Sequence, residues 1–581
     1  MSSACARRGR LAWALALGSC VPAGHAPLAA DLVLRGGRVA TVDPSRPEAE
    51  AMAISGHTIL AVGSEAEIDR HVGPGTEVIE LEGRLAIPGF IEGHGHFLSL
   101  GEARSSVDLS GTDSWEEAVS RVGSAVAGSR PGAWIVGRGW HQERWPPGRE
   151  TRVDGVPVND ALDVVSPGNP VLLTHSSGHA ALVNEAALRA AGIDPDTPDP
   201  PGGTIVRGPG GEPTGLLREK AQGLVAAAHA AARAARGPEA IDAERRGWAL
   251  AAARECLSKG ITSFHDAGSG FDEIDLLRRI ATAGELPVRL YVMVRGESNE
   301  ALDERLPSYR IVPGGGNAFL TVRAIKRQID GALGSHGAWL LEPYADHPGT
   351  GLVLEPVEEI EETARIALRH GFQLATHAIG DRANREVLDL YERAFANHPD
   401  PRSLRWRIEH AQHLHRDDVP RFSRLGVVAS MQGVHCTSDG PWVPRRLGAE
   451  RAAAESYLWR SLLDSGAVVA NGTDAPVEDV DPIASFHASV SRRLADGSVF
   501  LGEQRMTREE ALRSYTLSAA WAAFEEELKG SLVPGKLADV VVLSRDIREV
   551  PEQEIRDARV DVTIVGGEVR YRRQDSRSGG P

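Results

Sequence analysis

The chain has 581 residues, 42% hydrophobic and 25% charged, the balance of an ordinary soluble globular protein. That length is too great for one small domain and suits a large α/β barrel with an insertion and a smaller satellite domain. The formal net charge of −16 argues against nucleic acid or anionic lipid as the main partner, since both call for concentrated positive charge, and favours a small-molecule substrate.

Residues 1–30 read as an export signal. "ARRGR" is a basic leader, "LAWALALG" a short apolar run, and "VPAGHAPLAAD" supplies small residues for cleavage before Asp31. Cleavage after Ala26 or Ala30 releases a protein to the periplasm or medium; "LGSC", ending at Cys20, resembles a lipobox and offers lipid anchoring as the alternative. The apolar run is too short for a permanent span, and no later segment is long and uncharged enough to be an integral one. Cys5 and Cys20 fall in or beside the signal, which leaves Cys256 and Cys436, too few for a disulfide framework.

"ADLVLRGGRVATVDP" and "AMAISGHTILAVGS" alternate apolar and polar residues around glycine turns, as β-hairpins do. The same texture returns in "GKLADVVVLS" and "VDVTIVGGEVRY", so residues 31–86 and 527–575 are expected to build one composite β-sandwich from both chain ends. Residues 87–526 carry eight strand candidates: "GFIEGHGH", "GITSFHDAG", "VRLYVMV", "VRAIKRQIDG", "FQLATHAIGD", "LRWRIEHAQ", "GVVASMQG" and "AVVANGTDAP". Helices over 356–370, 382–396, 452–464 and 507–523 separate or follow the later ones, which predicts a TIM (β/α)8 barrel. Residues from about 99 to 260 are too many for one connection and are expected to form an insertion over the barrel mouth, with strands in "AWIVGRGWH" and "PVLLTHSSGHAALVN" and a Gly/Pro-rich run at 198–215.

Polar residues collect at the predicted strand ends. His94 and His96 are two positions apart, so on a strand they share a face and can grip one ion. Lys326 falls on strand four, His377 on five, His410 on six and Asp474 on eight. Each alone has an ordinary reading: a hydrogen-bonded histidine, a helix-capping aspartate, a lysine paired with Asp330 or Asp266. Six such residues on the strands of one barrel point to metal chemistry.

With these residues in place, "GHGH", "GITSFHDAG", "DGALGSHGAWLLEPY", "HAIGDRAN", "RIEHAQ", "SMQGVHCTSD" and "GTDAPVEDVDP" resemble the amidohydrolase superfamily, and within it the family 3 branch that includes N-substituted formamide deformylases. The resemblance runs from about Asp31 to Tyr571 and takes in "SGHAALVN" and "GEPTGLL". It implies that His94, His96 and Asp474 bind a first divalent metal, His377 and His410 a second, and that a carboxylated Lys326 bridges them, with one or two ions per chain, Zn²⁺ being expected. It further implies cleavage of a C–N bond in an amide, N-formyl or cyclic amide by a metal-activated hydroxide, with Asp474 shuttling the proton.

His179, Trp339 and His435 are expected to contact substrate, and Trp140, Trp145, Trp442 and Trp459 suggest an apolar or aromatic group in the pocket. Glu409 beside His410 and Asp266 beside His265 are candidates to orient imidazoles. Arg327 and Gln328 stand where the family has apolar residues, which puts the register of the Lys326 strand in question; Gly433 and Val434 replace a common Pro and Thr, and Cys436 is disfavoured as a ligand. Two alternatives stay open: a deaminase or other carbonyl or imine hydrolase of the same fold, and a non-catalytic exported binding protein. The sequence also leaves a homodimer open.

Overall fold

The computed structural model describes residues 28–574 except 143, 144, 147, 149, 176–179 and 313–317. Eight parallel strands form the central sheet: β1 (Phe90–Gly95), β2 (Ile261–Ser269), β3 (Arg289–Val294), β4 (Leu320–Gln328), β5 (Gln373–Ala378), β6 (Arg407–His410), β7 (Val428–Gln432) and β8 (Val469–Gly472). These are the eight predicted segments, paired in chain order. The sheet curls until β8 meets β1: a Cβ on Gly93 would lie 2.4 Å from the Asn471 carbonyl oxygen, and one on Gly472 2.6 Å from the His94 nitrogen. Only glycine permits that approach. Just beyond, the Asp474 amide donates to the His94 carbonyl at 2.8 Å. The result is a TIM-like barrel whose strand ends gather the polar motifs.

Helices Val357–His370 and Asp381–Phe395 match two predicted ones. The predicted helix 452–464 is instead Ala449–Glu455 and Trp459–Asp464, because Tyr457 turns left-handed (φ 52°) and its amide donates to the Gln412 carbonyl. The predicted helix 507–523 likewise divides into Arg508–Ser514 and Leu517–Ala522. There the Tyr515 carbonyl accepts from the Ile91 amide and its hydroxyl donates to the Gly472 carbonyl. In both places tertiary hydrogen bonds outweigh helical continuity.

Both chain ends enter one six-stranded sheet, where Val540–Leu543 runs antiparallel to Leu85–Pro88. A four-stranded sheet from residues 32–80 packs with it: Leu34, Met52 and Ile54 share an apolar core with Val540, Val542 and Ile564. The hairpin expected in "LVLRGGRVA" does not form. Leu32–Arg35 and Arg38–Ala40 pair into different sheets, while the 51–63 and 560–572 hairpins are present. Arg289 at the start of β3 holds Asp539 through two buried bonds of 2.7 and 2.9 Å, tying the barrel to this region.

Between β1 and β2 the chain builds a further six-stranded sheet flanked by helices. The Gly/Pro-rich run is not simply loop: Gly203–Arg207 and Pro213–Glu219 form an antiparallel pair within it. Trp140 and Trp145 stack 5.8 Å apart in this unit's own core, 1% and 3% exposed, so they are packing residues rather than pocket walls. Trp459 is also fully buried, beneath the Arg492 guanidinium. Cys256 and Cys436 are buried free thiols.

Candidate metal centre

β1 delivers His94 and His96 to the C-terminal end of the barrel. Asp474 follows β8, with its Oδ1 3.5 Å from His94 Nε2 and 3.2 Å from His96 Nε2. The His94 ring lies 4.8 Å from that of His410, and His410 lies 4.4 Å from His377. Five of the six predicted ligands therefore converge. His410 and Asp474 do so with φ values of 76° and 59°, a left-handed conformation costly for residues with a Cβ and concentrated at functional sites.

Lys326 points into the same interior, 3% exposed, and burial pushes its ammonium down to about 8. The register question at β4 resolves in its favour. Arg327 turns the other way, into the helix layer, donating to Thr363 Oγ1 at 2.8 Å and Asn299 Oδ1 at 2.9 Å. The carboxylates considered as partners for Lys326 are engaged elsewhere. Asp330 accepts the Trp339, Ile379 and Gly380 amides, and Asp266 accepts the Phe97 amide and the Ser269 hydroxyl.

The hydrogen bonds around the histidines fix their tautomers. Glu409 accepts from His94 Nδ1 and is itself held by Arg407, whose Nε lies 2.6 Å from its Oε1. Arg407 is fully buried and also donates to the Gly93 carbonyl and Ser430 Oγ. Burial works against a charged Glu409, but Arg407 and His94 outweigh it and hold the carboxyl well below its usual range. Burial lowers the basicity of His94 to about 4 and takes His377 and His410 well below the ordinary imidazole value, so all three are neutral near pH 7. Gln432 Oε1 accepts from His410 Nδ1 at 2.7 Å.

Of the two carboxylates expected to orient imidazoles, Glu409 does so and Asp266 does not. Glu409 serves His94 across the barrel rather than its neighbour His410, because the neighbouring side chain on a strand points elsewhere. Asp266 does not orient His265; it receives the first amide of helix Phe97–Ser105, and His265 Nδ1 faces Arg407 at 3.1 Å. Gln432 and Arg407 were not singled out from sequence. Their signal was present: polar residues at alternate, inward positions of otherwise apolar strands, "RIE" and "SMQ".

With Nδ1 committed to Glu409, neutral His94 turns the lone pair of Nε2 toward the Asp474 carboxylate. His94 Nε2, His377 Nε2, His435 Nε2 and Asp474 Oδ1 are all buried without hydrogen-bond partners. In a dry interior the lone pair of His94 Nε2 and the Asp474 oxygen repel one another, which a cation held between them relieves. Neutral imidazole and carboxylate are the donor set that Zn²⁺ and similar divalent ions take, so the residues fit a metal. The ligand atoms of His94, His96 and Asp474 lie within 4.8 Å of one another, as do those of His410, His435 and Asp474. His435 is thus at the centre. Trp339 is partly buried beside Arg382, and His179 lies outside the described residues.

A family model described as "Amidohydrolase family" matches residues 77–571. The chain belongs to the amidohydrolase family. It is 37% identical over 578 residues to Protein LONG AFTER FAR-RED 3 of Arabidopsis thaliana, covering 97% of this chain and 94% of that one. It is 30% identical over 557 residues to the N-substituted formamide deformylase of Arthrobacter pascens, covering 94% and 99%. Among solved structures, an uncharacterized metal-dependent hydrolase from Pyrococcus furiosus superposes with a TM-score of 0.70 at 29% identity, covering 89% of this amidohydrolase and all of that chain.

Proposed function

We propose that this amidohydrolase cleaves the C–N bond of an amide, N-formyl or cyclic amide small molecule, with Zn²⁺ held by His94, His96 and Asp474 and a second ion near His377, His410 and a carboxylated Lys326. The observation that carries this reading is the bare Nε2 of His94 opposed to the buried Asp474 Oδ1. When bound, a divalent cation supplies Lewis acidity toward a carbonyl and makes water more acidic. Arg407 and Glu409 hold His94 in the tautomer that presents Nε2. Asp474 takes the proton of the attacking water and returns it to the departing nitrogen. Lys326, buried and reduced in basicity, is the amine suited to carboxylation. We read the two sheets at the chain ends as one composite β-sandwich, residues from about 99 to 260 as an insertion over the barrel mouth that forms a wall of it, and residues 1–30 as a cleaved export signal. Asp108, Ser110 and Arg138 of the insertion support the wall, since they share a cavity of about 600 Å³ with Pro476 and Val477, next to Asp474.

The test is a screen of N-formyl amines, N-acyl amines and cyclic amides with metal-loaded protein, read by amine release. Turnover that disappears on chelation and returns with metal is expected. Ammonia released from amino-heterocycles, with all amides inert, would move the reading to a deaminase; a fully metallated protein that turns over neither class would overturn the enzymatic reading.

A further inference from the structure

We propose that His435, in the first turn of the helix Gly433–Asp439 that follows β7, is a metal ligand that with His410 and Asp474 forms a second divalent-cation site. This rests on the reading above that the barrel end holds metal, and changes which side chains hold the second ion. From sequence His435 was expected to contact substrate.

Three candidate ligand atoms meet there. Gln432 Nε2 donates to the Ser430 carbonyl at 3.3 Å, which fixes the amide so that its Oε1 faces His410 Nδ1. His410 Nδ1 therefore carries the proton and Nε2 the lone pair. The His435 ring is nearly parallel to that of His410, 12° between planes and 6.2 Å between centres, and its Nε2 is buried with no partner. Asp474 Oδ1 is the third, buried and without an aligned hydrogen bond, with His96 Nε2 3.2 Å away. A buried carboxylate oxygen grouped with two imidazoles, and tied to neither by a hydrogen bond, is a donor set that suits a divalent cation.

The helix that carries His435 is anchored rigidly. The Gly433 amide donates to Asn471 Oδ1 at 2.9 Å and the Val434 amide to Ser485 Oγ at 3.2 Å. A Cβ at Gly433 would stand 2.4 Å from Ser489 Oγ and 2.6 Å from the Ser485 carbonyl oxygen, so the proline common at this place in the family could not be seated here. Asn471 lies on β8, three residues before Asp474. One strand thus fixes both the carboxylate and the helix of its partner imidazole.

Cobalt titration of the full-length apo-protein tests this, read by absorption and by metal analysis, for wild type, His435→Ala and His435→Gln. Wild type is expected to take up two ions in separable steps. In both variants the first step should stand while the second weakens by more than the roughly 10–100-fold that loss of a supporting partner costs, with added imidazole restoring part of it in His435→Ala. The glutamine variant covers the case in which alanine does not fold. Two ions bound at wild-type affinity in a folded variant, with only KM raised, would return His435 to substrate contact and overturn the proposal; so would a wild type that binds one ion. A wild type that binds none would overturn the metal reading as a whole.

Discussion

At the N-terminal end of the barrel, Lys529 Nζ donates to Ser263 Oγ at 2.8 Å and pairs with Glu525 at 2.5 Å, while Thr321 Oγ1 donates to the other Glu525 oxygen at 2.6 Å. Tyr291 and Gln373 bond to each other at 3.0 Å beside them. At the C-terminal end, the nitrogens of His94, His377 and His435 and the Asp474 oxygen are buried just as deeply and left without donors. Both clusters bear the desolvation cost of polar groups in a barrel interior. In the first the Lys529 ammonium lies against the Glu525 carboxylate, so charge meets charge directly, although Glu525 Oε2 has no aligned hydrogen bond. In the second the Lys326 ammonium offsets the Asp474 charge, but no hydrogen bond ties the histidine nitrogens and the Asp474 oxygen to one another. Arg407, buried close to the site, is spent on Glu409, Gly93 and Ser430.

Replacing Asp474 by asparagine should give the largest effect. It keeps the shape and removes the basic carboxylate, so turnover of an active amide is expected to fall by about two to four orders of magnitude, with metal content measured in the same sample. Near wild-type turnover with full metal would end the proton-transfer role. Glu409→Gln should come next. It leaves Arg407 buried without its anion and His94 with a weaker acceptor, so first-ion affinity should drop by roughly 10–100-fold in chelator competition. A denaturation midpoint would register the uncompensated arginine as well, by about 3 kcal/mol.

Lys529→Met separates the two barrel ends. It strands the Glu525 carboxylate and should cost about 3 kcal/mol of stability in urea unfolding while leaving metal content untouched. Loss of metal in a folded Lys529→Met protein would mean that the two clusters are coupled, against the comparison drawn above. Smallest is Trp145→Phe in the insertion core, where the bond from its indole nitrogen to Thr112 Oγ1 at 3.1 Å is lost together with part of the ring's packing on Trp115 and Trp140. That should cost about 2 kcal/mol, with KM unchanged; a raised KM would bring the tryptophan back to the pocket.

The barrel was legible because each strand is an apolar run ending in polar residues, a pattern that tertiary contacts reinforce. His94, His96, Lys326, His377, His410 and Asp474 were legible for the same reason. What was hidden lay in the third dimension. Glu409 is one residue from His410 in the chain and reaches His94 from five strands away, and no sequence spacing encodes that. His435 gave no ligand signal because its position depends on the seating of a seven-residue helix against Ser485 and Asn471. The tryptophans misled because a large aromatic ring fits a dry core as well as a pocket, and Trp140 and Trp145 chose the former. The broken helices at Tyr457 and Tyr515 obey hydrogen bonds to distant parts of the chain, which local propensity cannot see.

The antiparallel pairing of Leu85–Pro88 with Val540–Leu543 joins segments more than four hundred residues apart in the chain. A ribosome must therefore synthesise nearly the whole protein before "LAIP" finds its neighbour, and until then that strand presents an open, apolar edge. Any product cut short before Val540 would keep that edge exposed, a surface that chaperones and proteases recognise. The last strands thus close an edge that every shorter nascent chain leaves open.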